Sequence, residues 1–181
     1  MERFTIVFSG SGGQGVITAA VMLAETAVLY EGLNAVQTQT YGPEARGGSA
    51  RADVIIANTE IRFPKVLQPR VLVCLSQRAY DKYVGTIRPG GLLITDPHFV
   101  QRDVRVDARH IAPPMYDSVK DKLGNTVAFN VCVLGTLVEV TKIVRPESVA
   151  KVIEERAPAG FLELNQKAFE IGLELGKGLS A

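Results

Sequence analysis

A short apolar run, RFTIVFSG, passes directly into the glycine-rich stretch SGSGGQGV. A segment with apolar residues at helical spacing follows and stops at Gly32. No other feature narrows the possible folds as sharply. A continuous apolar run of this length suits a parallel strand covered on both faces. A G-x-G-x-x-G loop set between strand and helix is the opening of a βαβ unit. Its glycines are Gly10, Gly12 and Gly15, with Gly13 between them.

The pattern continues along the chain. LNAVQTQ reads as a second strand and ARADVIIA as a third, with NTE turning the latter into a short hairpin that ends at IRFP. RVLVCLS is a further apolar strand, QRAYDKYVGTI a helix, RPGG a turn and LLITD the next buried strand. Beyond this the chain turns helical. MYDSVKDKLG predicts a short helix and NTVAFNVCVLGTLVEVTKIV a long buried one capped by Asn125. PESVAKVIEERA starts a helix on Pro146, and FLELNQKAFEIGLELGKGL closes as an amphipathic one. The expectation is an α/β fold: a single Rossmann-like domain over residues 1–181, with a mainly parallel sheet flanked by helices and a helical C-terminal third.

Composition excludes several function classes. Lys and Arg number 20 against 19 Asp and Glu, so no global field draws the chain to nucleic acid or an anionic membrane. Cys74 and Cys132 lie far apart inside apolar runs, with no C-x-x-C, so the chain has no cysteine set for an iron–sulfur cluster or zinc. No apolar stretch reaches the ~18 residues of a membrane span, and no secretory leader pattern is present, so a cytoplasmic location is expected. No nucleophile–base arrangement, P-loop lysine, metal-ligand cluster or GDG thiamine diphosphate signature occurs. No residue is therefore assigned a catalytic or metal-ligating role.

Two loops carry the candidate site. Gly10, Gly12, Gly13, Gln14 and Gly15 would present backbone N–H groups and a helix N-terminus to an anion, or would serve only a tight turn. A stand-alone NAD(P) site is the alternative. It needs a carboxylate at the end of the second strand, where Gln37, Thr38, Gln39 and Thr40 stand instead. The second loop, TYGPEARGGSAR, is shaped by Gly42-Pro43 and Gly47-Gly48. Neighbouring first and second strands would set it beside the glycine loop. There Tyr41, Glu44 and Arg46 supply an aromatic face, a carboxylate and a bidentate anion binder, or a Glu44–Arg46 pair holds the loop closed. Ser76, Gln77, Asp96 and His98 follow later strands and could line the same crevice. Asn130, inside an apolar helix, needs a partner if buried.

GSGGQGV, YGPEARGGSARADVIIA and GNTVAFNVCVLGTL together resemble the gamma subunit of 2-oxoacid:ferredoxin (or acceptor) oxidoreductases, of the 2-oxoglutarate type, also found as domain III of fused pyruvate:ferredoxin oxidoreductases. The resemblance covers essentially the whole chain. It implies a Rossmann-like module that packs on alpha and beta catalytic chains and helps form the coenzyme A site. It also implies thiamine diphosphate and iron–sulfur clusters on the partner chains, a ferredoxin-like delta chain in some complexes, and ferredoxin as acceptor. The matched positions are Gly10, Gly12, Gly13, Gln14, Gly15, Tyr41, Gly42, Pro43, Glu44, Arg46, Gly47 and Gly48, with Arg46 expected to meet a phosphate or a partner carboxylate. Apolar surface meant for partners could pair two copies of the isolated chain.

Overall fold

The computed structural model describes residues 3–41, 49–102 and 105–179. Strand β1 (Phe4–Ser11) leads through the glycine loop into helix α1 (Val16–Tyr30), which ends where Gly32 takes a left-handed turn and the Leu33 N–H bonds the Ala27 carbonyl at 3.0 Å. Strands β2 (Asn34–Tyr41), β3 (Ser49–Ala57), β4 (Val71–Cys74), β5 (Gly91–Thr95) and β6 (Ala108–Ile111) complete the sheet. Helix α2 (Gln77–Tyr83) lies between β4 and β5; α3 (Met115–Leu123), α4 (Phe129–Thr141), α5 (Pro146–Arg156) and α6 (Leu162–Lys177) follow β6.

The six described strands run in the order β2-β3-β1-β4-β5-β6. β1, β4, β5 and β6 are mutually parallel neighbours, whereas β3 is antiparallel to both β1 and β2. This corrects one expectation: β1 and β2 are not adjacent, because β3 folds back between them. The expected strand at IRFP is also absent, and residues 61–66 carry no regular structure. The short strand β6 is half-exposed and shows no apolar pattern to announce it.

The apolar runs are buried on both faces, as parallel strands flanked by helices require. On one face Ile6 and Phe8 of β1, Val54 and Ile56 of β3, and Val71 and Val73 of β4 join the large core under α1 and α3–α6. On the other, Val7, Ile55, Leu72 and Leu93 pack with Tyr80 of α2. Every residue of α4 from Phe129 to Val138 is buried, which explains why that helix is apolar all round. It crosses α6 closely, at Gly135 and Gly172. Both thiols sit in this interior, where burial pushes Cys74 and Cys132 up to about 12. At neutral pH they are protonated and inert.

Candidate functional site

The glycine loop leaves β1 at its carboxyl edge, and each glycine meets a different demand. Gly10 has no room for a side chain, because a Cβ there would stand 2.5 Å from Oε1 of Gln14. Gly13 and Gly15 hold φ of 91° and 69°, the left-handed region. A Cβ on Gly12 would meet nothing within 4 Å and its φ lies outside that region, so the loop face there is open.

Gln14 braces the loop from within. Its Oε1 accepts the Ser11 N–H at 2.7 Å, and its Nε2 donates to the Leu75 carbonyl at 2.7 Å, tying the loop to the end of β4. Gln14→Ala is expected to cost about 1–2 kcal/mol in chemical denaturation, since both partners lose a bond. Gln14→Glu keeps the acceptor but sets a carboxylate against the Leu75 carbonyl. Its loss relative to wild type should therefore be larger at pH 7 than at pH 4.

Two helix N-termini converge here. Gly15 is the N-cap of α1, and no side chain caps that helix or places an acid in its first turn. Helix α4 begins after Ala128 and is likewise uncapped and acid-free. The side chain of Asn130 in its first turn packs against Gly15, with Cγ only 2.6 Å from where a Cβ would lie. Asn130 is 8% exposed, and among the described residues its amide has no hydrogen-bond partner. On α4 the Phe129 and Val131 N–H groups already bond the Thr126 and Ala128 carbonyls, so the free donors lie chiefly in the first turn of α1. The partial positive charges of the two helix ends favour an anion at this edge. Asn125 does not cap α4. Its Oδ1 accepts the Val127 N–H at 2.8 Å in a turn before the helix starts.

The second loop reaches the same edge by a different route from the one expected. Ser11 and Gly10 of β1 pair with Ser49 and Ala50 of β3, and Ala50 pairs with Tyr41 of β2. The hairpin between β2 and β3 therefore springs from the row that carries the glycine loop. Tyr41 closes β2, while Gly42, Pro43, Glu44, Arg46, Gly47 and Gly48 lie outside the described residues. This topology also bears on the dinucleotide alternative. The strand beside β1 at this edge begins with Ser49 and Ala50, and β2 is one strand further away, so among the described residues no carboxylate stands where a ribose would need it.

The other candidates have local partners. Ser76 caps α2, accepting the Ala79 N–H, and Gln77 bonds Asp81 at 2.8 Å and the Gln101 N–H at 2.8 Å. Asp96 is fully buried and accepts the N–H groups of His98 and Tyr116 at 2.9 and 2.8 Å, which fixes the start of α3. Burial raises its carboxyl above the ordinary range, against the pull of those two donors. His98 pairs with Asp117 at 2.9 Å and stacks on Tyr116. Arg51, the last residue of the second-loop stretch, lies on β3 beside this edge. It is bound to Asp53 at 2.6 Å and to the Val66 carbonyl, so its charge is already engaged. Among the described residues no group of His, Cys, Asp and Glu could hold a metal ion, and no helix is long and apolar enough to cross a membrane.

An open glycine edge with no reactive constellation has a close counterpart among known proteins. The pyruvate ferredoxin/flavodoxin oxidoreductase family matches residues 5–175. The chain belongs to this family. It is 43% identical over 179 residues to the 2-oxoglutarate synthase subunit KorC of Methanocaldococcus jannaschii, covering 98% of this chain and 96% of that one. The gamma subunit of a keto/oxoacid ferredoxin oxidoreductase from Geobacter sulfurreducens is 38% identical and superposes with a TM-score of 0.87 over 97% of this chain and 99% of that one. A 2-oxoglutarate:ferredoxin oxidoreductase from Magnetococcus marinus, solved with 2-oxoglutarate, coenzyme A and succinyl-CoA bound, shares the fold. Its TM-score is 0.88 over 99% of this chain and 32% of that longer one, at 22% identity. The chain is thus a gamma-type subunit of a 2-oxoacid:ferredoxin oxidoreductase, and it has partner subunits.

Proposed function

We propose that this gamma-type subunit serves a 2-oxoglutarate-oxidising complex by forming part of its coenzyme A site and of the contact with the catalytic chains. The observation that carries the reading is the meeting of two uncapped, acid-free helix N-termini on an open glycine loop. Such an edge binds an anionic group through backbone donors without performing chemistry on it. Its own residues orient and hold: Gln14 fixes the loop, Gly12 leaves its face clear, and Asn130 offers an unpaired amide. Tyr41, Gly42, Pro43, Glu44, Arg46, Gly47 and Gly48 are assigned to the same coenzyme A and partner contact on the resemblance of their sequence block. Thiamine diphosphate and the iron–sulfur clusters belong on alpha, beta and delta partner chains, with ferredoxin as acceptor. Next to the edge, Val127 and Phe161 are 68% and 40% exposed around an apolar cavity of about 250 Å³, a surface suited to burial against such a partner.

The test is anaerobic purification of the tagged subunit from its host, followed by assay of coenzyme A-dependent 2-oxoglutarate oxidation with ferredoxin. Gly12→Asp is the informative variant, since its Cβ has free space and its carboxylate opposes an anion. It should raise the KM for coenzyme A at least tenfold while leaving that for 2-oxoglutarate unchanged. An unaltered coenzyme A KM with intact assembly would overturn the reading.

A further inference from the structure

The opposite edge of the sheet holds a cavity of about 310 Å³ whose lining, among the described residues, includes three arginines and no acid: Arg70 before β4, Arg88 before β5 and Arg109 on β6. The sheet itself sets their spacing. The Arg88 N–H bonds the Pro69 carbonyl at 3.2 Å, the Leu92 N–H bonds the Arg70 carbonyl at 2.8 Å, and Leu92 pairs in register with Arg109. Two of the guanidinium groups are held by something other than a counter-charge. Arg70 lies over the Phe4 ring, 4.8 Å from its centre, and Arg109 donates to the Leu179 carbonyl. Nε of Arg88 is buried with no partner at all. The ion pairs of the described residues include none of the three.

The balance of charge decides what such a cavity is for. Among the described residues of the lining, Val140 and Thr141, at the C-terminal end of α4, are the one source of opposing charge. A helix end supplies about half a negative charge, against three permanent positive ones. A structural role for the arginines would leave most of that repulsion unrelieved and one buried donor unsatisfied, a state that native interiors avoid. An oxyanion removes both defects. A carboxylate's two oxygens serve one or two forks, whereas a phosphate presents oxygens in three directions and matches arginines arriving from three segments.

We propose that this arginine cavity binds a phosphate group, free or carried by a nucleotide. The site is separate from the glycine-loop edge. Phe4 opens β1 beside the cavity and Ser11 closes it at the loop, roughly 23 Å away at the rise of a strand. It does not depend on the coenzyme A reading.

The test is calorimetric titration of the full-length chain with pyrophosphate, inorganic phosphate and ADP at low ionic strength, with sodium chloride at matched strength as control. Saturable binding of pyrophosphate is expected, together with a rise in melting temperature that chloride does not produce. Arg88→Gln and Arg70→Gln should each weaken it about tenfold or more, while Gly12→Asp leaves it unchanged. If Arg88→Gln fails to fold, Arg70→Gln carries the result, because that side chain is exposed and stacked. ADP binding tighter than inorganic phosphate identifies a nucleotide-borne group, and equal affinity a free one. Absence of saturable binding overturns the proposal. So does binding that survives both arginine substitutions, or binding that Gly12→Asp abolishes.

Discussion

Gly172→Ala is expected to cost about 3 kcal/mol or more, or to prevent folding altogether. A Cβ on Gly172 of α6 would stand 2.1 Å from the Cys132 carbonyl oxygen of α4 and 2.9 Å from the Thr136 backbone nitrogen. Those neighbours are backbone, so no rotamer change relieves the clash and the helices must separate. They cannot do so cheaply, because α4 is buried from Phe129 to Val138 and the Thr136 hydroxyl donates to the Gly172 carbonyl at 3.1 Å. Overpacking of this kind costs ~1–3 kcal/mol when side chains can yield, and more when backbone must. For a chain of this length a loss of about 3 kcal/mol corresponds to a fall of roughly 6–12 °C in Tm. Gly178→Ala is the control: a Cβ there meets nothing within 4 Å, and it should leave Tm within about 2 °C. Equal melting of the two variants would refute the close crossing.

Gly15→Ala is the second substitution with a large expected effect, about 3 kcal/mol by denaturant unfolding. Part of it is conformational: φ of 69° costs an L-residue roughly 1–2 kcal/mol. The rest is displacement of Asn130, whose Cγ, Cβ and Nδ2 lie 2.6–2.8 Å from the new methyl position. The two parts separate in a double-mutant cycle. Asn130→Ala removes Cγ and Nδ2 but keeps the Cβ at 2.8 Å, so in that background Gly15→Ala should cost clearly less, though still more than its conformational share. Strict additivity would show that the two residues do not meet.

Much of this arrangement was legible in the chain. The run Phe4–Phe8 is apolar throughout because β1 is covered on both faces, and the loop after it has glycine where Gln14 and Asn130 crowd the backbone. Asn130 stood out as a polar residue in an apolar helix in need of a partner. What it touches could not be read, since Gly15 is 115 positions away and the contact depends on how α1 and α4 pack. Strand order was hidden for a related reason. ARADVIIA has the same apolar character whether it runs parallel or antiparallel to β1, and only the pairing of Phe4 with Ile56 and Asn34 with Ala57 settles it. The start of α4 was misplaced because NTVAF has helical spacing, while Asn125 bonds the backbone two residues on and holds a turn there. The crevice candidates Ser76 and Asp96 did follow strands as expected, but their hydrogen bonds are spent on α2 and α3.

The strand folded back between β1 and β2 works as a spacer. Gly10, Ala50 and Tyr41 stand in one hydrogen-bonded row, so the chain leaves β2 two strand widths, about 10 Å, from β1 and re-enters the sheet in β3 one width from it. The ends of β1 and β2 cannot drift together without breaking the sheet. A single small carboxylate would touch one side of that gap at a time. On the coenzyme A reading proposed above, these strand ends would offer a long, jointed molecule two anchor points whose separation is fixed before it arrives.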